Sequence, residues 1–110
     1  MITFKRLNNL DNLFPNKILR YFSIDCNTIK SMSEFRDNIL NNTIGFLGVI
    51  DKRDIRHCIF IFNKKDDLDN FTAYLNKNKI DYKDNKYTYR VKSFLNDIFN
   101  ENVLETNVDI

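Results

Sequence analysis

Three carboxylates stand where acid or metal chemistry could be done. Asp25 follows an apolar stretch, and Asp51 and Asp54 bracket a short polar turn between two others. If the fold brings them to one sheet edge, their hard oxygen ligands suit Mg²⁺, which would position a phosphoryl group and a water. Turns also collect Asp for ordinary backbone reasons, and 110 residues leave no room for substrate-binding subdomains around such a centre. Metal-dependent phosphoryl transfer or nuclease activity at Asp25, Asp51 and Asp54 is therefore the third-ranked expectation.

His57 is the only histidine, and Cys58 follows it directly. Adjacent residues of a strand point to opposite faces, so the two form no nucleophile and base pair. Cys58 reads as a small core residue and His57 as partly exposed on the other face. Asp66, Asp67 and Asp69 lack the glycine and the bidentate Glu of a calcium loop and suit the positive end of a helix instead. Gly45 and Gly48, the only glycines, have no Lys-Ser or Lys-Thr after them, which excludes a glycine-rich phosphate loop. No catalytic set emerges, so the chain is expected not to be an enzyme and to need no cofactor.

The strongest binding signal is the run from Tyr82 to Lys92, which interleaves aromatic and basic side chains. As one strand it would place Tyr87 and Tyr89 on one face and Lys86, Arg90 and Lys92 on the other. With Tyr82, these form a candidate platform for stacking the bases of single-stranded RNA or DNA. An edge strand guarded by Lys and carrying half-buried Tyr has the same appearance without a ligand. The stretch Arg56 to Phe62 does not match the RNA-recognition consensus.

These residues must be positioned by the following elements. Phe4, Leu7 and Leu10 recur at helical spacing after Thr3, which predicts a short helix before Pro15. Ile18 to Asp25 is β-branched and aromatic and predicts a first strand. Ser31 caps a helix whose stripe is Phe35, Ile39 and Leu40. Thr43 to Ile50 and Ile55 to Phe62 are apolar at both alternating sets, as in a buried hairpin around Asp51-Lys52-Arg53-Asp54. Leu68, Phe71 and Leu75 share a helix face running to about Asn78. A strand is expected from Ile80 to Val91, with a possible turn at Asp84-Asn85, and Ser93 opens a last helix carrying Phe94, Leu95, Ile98 and Phe99.

The order is strand, helix, strand, strand, helix, strand. It predicts an α+β fold, a ferredoxin-like split β-α-β sandwich with an antiparallel sheet and extra N- and C-terminal helices. One domain over 1–110 is expected, divided into an N-terminal helical extension (1–16), the core (17–92), a C-terminal helix (93–105) and a frayed tail (106–110). Such a fold hosts many functions and selects none. Two helices leave one sheet face open unless Phe94, Leu95, Ile98 and Phe99 cover it; an uncovered face would signal a partner or a homodimer.

Composition limits the remaining choices. At 43% hydrophobic and 14% aromatic the chain is too apolar to stay disordered. A net charge of +2 is too small for a global field that binds phosphate backbones. Cys26 and Cys58 lack metal or redox spacing, no leader pattern is evident, and the apolar run Ile44 to Ile50 is too short to span a bilayer, so a cytoplasmic location away from membranes is expected. Abundant Asn, Lys, Ile, Phe and Tyr with scarce Gly and Pro suggest an A/T-rich genome. The leading expectation is a non-catalytic macromolecule-binding protein of a phage or mobile element, an inhibitor that occupies a host protein or ribonucleoprotein complex in the anti-defence or anti-CRISPR manner. The single-strand nucleic-acid binder ranks second.

Overall fold

The computed structural model describes residues 2–109, and Met1 and Ile110, including the last residue of the expected tail, lie outside them. Helix α1 (Phe4–Leu13) begins where Thr3 Oγ1 accepts a hydrogen bond from Arg6 N at 3.2 Å, and it buries Leu7 and Leu10. Strand β1 (Ile18–Asp25) follows, then a single 3₁₀ turn (Cys26–Thr28) and α2 (Met32–Asn42), capped by Ser31 as its sequence predicts. Strands β2 (Gly45–Ile50) and β3 (Ile55–Phe62) form the expected hairpin. Helix α3 (Lys65–Lys77) places Asp66 and Asp67 in its first turn, beside the positive end of the helix dipole. The chain ends with β4 (Tyr82–Lys86), α4 (Tyr89–Glu101) and the two-residue β5 (Glu105–Thr106).

The fold is α+β: four helices and an open antiparallel sheet of five strands in the order β4-β1-β3-β2-β5. Strands β1 and β3 lie at the centre, and both sheet faces are covered. On one face α2 and α3 enclose the rings of Phe22, Phe35, Phe60, Phe62 and Phe71, with Phe60 and Phe71 meeting edge to face at 5.0 Å. On the other face α1 and α4 enclose Leu7, Leu10, Leu47, Ile59, Leu95 and Phe99. Burial on both sides explains why β3 reads as an apolar run from Cys58 to Phe62.

Several expectations near the C-terminus are corrected. The predicted strand from Ile80 to Val91 stops at Lys86. Thr88 Oγ1 accepts from Val91 N at 3.3 Å and starts α4 four residues before Ser93. Asp84 and Asn85 lie inside β4 and make no turn. The tail after Glu105 is not frayed throughout: Glu105 and Thr106 pair with Gly48 and Leu47, and Asn107 Oδ1 accepts from Phe46 N at 2.7 Å.

Candidate functional site

The turn that joins β2 to β3 is built around one side chain. Asp51 Oδ1 accepts from Arg53 N at 2.8 Å and Ile55 N at 3.2 Å, closing the turn, while Asp54 takes the left-handed conformation at φ 61°. The second carboxylate oxygen, Oδ2, lies 2.9 Å from His57 Nε2. His57 Nδ1 in turn lies 2.8 Å from the hydroxyl of Tyr21, across the β1–β3 ladder. An ionised carboxylate only accepts, so Nε2 carries a proton and donates to Asp51, and in the uncharged tautomer that this fixes Nδ1 accepts from the Tyr21 hydroxyl.

Burial pushes the Asp51 carboxyl up, but His57, the two backbone amides and the Arg53 guanidinium outweigh it and hold the group well below the usual carboxylate range. Burial pushes the Tyr21 phenol up to about 12, against a smaller lowering from a hydrogen bond with Ser23. His57 is 3% exposed, so the expectation of a partly exposed imidazole is corrected. It lies on the face that α1 and α4 cover, with Phe94 edge-on at 5.6 Å.

Above this chain of hydrogen bonds lies an open cleft of about 470 Å³ between β1, β4, the 51–54 turn and α4. Tyr21, His57 and Phe94 line its base and wall, and Phe94 stays 44% exposed. Its polar rim carries charges of both signs: Arg53 and Lys83 against Asp25 and Asp81, with Ser23 and Asn85 between them. The chain matches no known protein family, no curated protein and no solved structure with which it was compared.

What this cleft can do is limited by how its titratable core is used. Both imidazole nitrogens are hydrogen-bonded within the protein, Nε2 to Asp51 and Nδ1 to Tyr21. A phenol held protonated beyond its ordinary range is a poor nucleophile at neutral pH. The cleft offers charges of both signs, hydrogen-bonding groups and aromatic rings.

The expected nucleic-acid platform is taken apart by the fold. Tyr82 lies on β4 with its ring stacked on Phe22 at 5.7 Å, and its hydroxyl donates to Asn76. Lys86 ends the strand, exposed. Tyr87 is half-buried, and its hydroxyl donates to Leu7 O at 2.7 Å. Lys92 is buried in α4, where it donates to Asn8 and Asp11 and lies 4.9 Å from the centre of the Tyr87 ring. Tyr89 and Arg90 are exposed on the first turn of α4, and Tyr89 meets Phe4 edge-on. The placement of these residues on one strand is thus corrected: the helix start at Tyr89 ends the two-residue alternation.

Two of the three carboxylates of the metal expectation, Asp25 and Asp51, are engaged within the protein, and Asp54 contributes its backbone. Asp25 accepts from Asn27 N, Asp51 is turned to His57, and the backbone carbonyl of Asp54 accepts from Cys26 N. Among the described residues no group of three or more His, Cys, Asp or Glu could hold a metal ion. Cys58 is buried in the α2/α3 core, as expected. Sequence reasoning missed Tyr21, Ser23, Arg53 and Phe94 as cleft residues. One signal was present: a lone His in an apolar strand, six residues after a turn Asp, meets that Asp across the turn.

Proposed function

We propose that the protein is a non-catalytic binding domain whose partner, a protein, docks in the cleft over Tyr21 and His57. The observation that carries this reading is the exposed Phe94 ring set beside a rim of mixed charge over the cleft. Interface hot spots combine an aromatic anchor with Arg and a polar surround, as Phe94 and Arg53 would here. Mixed charge favours a protein surface over a phosphate backbone, which calls for a positive stripe. The A/T-leaning composition supports the more specific form of the proposal, a phage or mobile-element product that acts in the host cytoplasm by occupying a host complex. In the same reading β1 to β4, with α2 and α3, are a ferredoxin-like split β-α-β core to which β5, α1 and α4 are added, supported by the order β4-β1-β3-β2 within the sheet. No helix among the described residues is long and apolar enough to cross a membrane.

The test is site-specific photocrosslinking in lysate of a low-GC bacterial host. A benzophenone residue replaces Phe94 in one variant and the exposed Leu13 of α1 in the other. One protein adduct formed from position 94, absent from position 13, resistant to nuclease and lost on Arg53→Glu, supports the proposal. Adducts that vanish with nuclease, or that form equally from both positions, overturn it.

A further inference from the structure

A second cavity, on the opposite face of the sheet, has a more defined chemistry. It lies between α2 and strands β2 and β3, measures about 130 Å³, and has apolar walls of Phe35, Ile39, Phe46 and Phe60. An apolar cavity of roughly 150 Å³ accepts one benzene ring. Its polar wall is Arg56 from β3, only 6% exposed.

Arg56 is incompletely satisfied for a buried cation. Its guanidinium donates from Nη1 to Glu105 at 3.2 Å, and Phe35 lies with its ring centre 5.8 Å from the guanidinium carbon. Among the described residues Nε is buried with no hydrogen-bond partner, although the Cys26 thiol also lies within hydrogen-bonding reach of the guanidinium. Its one carboxylate partner among the described residues is half in water, with a side-chain exposure of 49% against 7% for Arg56, and so compensates the buried charge poorly. Arg36, at the exposed end of the lining, adds a second positive charge. A desolvated guanidinium beside a one-ring apolar cavity calls for a planar carboxylate attached to a small hydrophobic body.

We propose that this cavity is a binding site for a small hydrophobic monocarboxylic acid, with the ring or alkyl body between Phe35, Phe46 and Phe60 and the carboxylate on Arg56. Glu105, carried by the two-residue β5, is then an internal competitor: it holds the donor that the ligand needs. This site lies on the α2/α3 face and does not depend on the cleft over His57.

Phenylacetate and its neutral isostere phenylacetamide are the probes, titrated into the ¹⁵N-labelled full chain by NMR. Saturable millimolar binding is expected, with shifts at Ile39, Phe46, Phe60 and the Arg56 side-chain Nε–H, and with the amide bound about tenfold more weakly for loss of the charged contact. Glu105→Gln removes the competing negative charge, leaving Nη1 only a weaker neutral acceptor, and should tighten phenylacetate about fivefold while leaving phenylacetamide unchanged. Arg56→Met should abolish the preference for the acid. Absence of saturable shifts, equal affinity for acid and amide, or a Glu105→Gln chain that binds phenylacetate no better overturns the proposal. The Glu105 variant decides the matter even if Arg56→Met fails to fold.

Discussion

Replacing Asp51 tests whether one carboxylate closes the β2–β3 turn and orients the histidine beneath the cleft. Asp51→Ala removes the acceptor of Arg53 N, Ile55 N and His57 Nε2. The Arg53 guanidinium contact, with its side chain 77% exposed, is given no weight. At about 1 kcal/mol for each of the three remaining bonds the cost is about 3 kcal/mol. With a urea m-value of roughly 1.5 kcal/mol/M, the unfolding midpoint should fall by about 2 M. Asp51→Asn keeps a carbonyl oxygen for the two turn amides and loses only the ionised acceptor on His57, so its cost should be about 1 kcal/mol. The folded carboxyl titrates below its unfolded value of about 3.9, so its stabilisation is complete above that pH and is lost as pH falls through the folded value. Acid unfolding of Asp51→Asn should accordingly be shallower than that of the parent below about pH 4. Urea titrations followed by circular dichroism at pH 7 and pH 3 measure all of this. If Asp51→Ala costs under about 0.5 kcal/mol, or Ala and Asn are equivalent, the account of the turn is wrong.

Three further outcomes follow from the packing. Burial raises both Tyr21 and Tyr87 while the unfolded phenols ionise near pH 10, so stability present below about pH 10 should be lost as pH rises beyond it. In a 295 nm absorbance titration these two phenols should ionise only with unfolding; all five tyrosines titrating together near pH 10 in a chain still folded would contradict this. Lys92→Met should leave stability within about 1 kcal/mol in thermal melts, because the buried ammonium is exchanged for a similar apolar stem and Asp11 returns to water; a loss above about 3 kcal/mol would show that the ion pair itself matters. At Gly45 a Cβ would meet Val108 Cγ1 and lie 3.2 Å from Ile61 Cδ1. Gly45→Ala should therefore cost about 1–2 kcal/mol and speed amide exchange at Asn107 and Val108, and unchanged exchange there would refute the contact.

What the sequence disclosed is what local physics decides. Thr3 and Ser31 cap α1 and α2 as read, and the hairpin follows from two apolar runs around a four-residue polar turn. The misreadings lie where long-range contacts outrank local preference. Tyr87 to Val91 has strand-like residue types, yet Val91, Leu95 and Phe99 recur every four residues and meet α1, so the segment turns helical after Thr88. Glu105 has no local reason to be ordered; its contacts are Gly48 and Arg56, far away in sequence. The cleft was invisible for a related reason. Tyr21, His57 and Phe94 come from three separate elements, and only the β1–β3 register and the docking of α4 bring them together.

The core between the sheet and helices α1 and α4 is closed by residues from opposite ends of the chain: Tyr87 with Leu7, Lys92 with Asp11, and Ile2 N with Asn100 Oδ1, 80, 81 and 98 positions apart. The α2/α3 core is drawn from the middle of the chain and needs much shorter loops. Loop-closure entropy therefore orders the two during folding, with the Phe-rich core first and the terminal helices docking afterwards. Until they dock, Tyr21 and His57 face water, and Asp51 and the Tyr21 hydroxyl orient the imidazole. The late layer is also the one expected to open first in the native state, which hydrogen exchange would register as weaker protection in α1 and α4 than in β3.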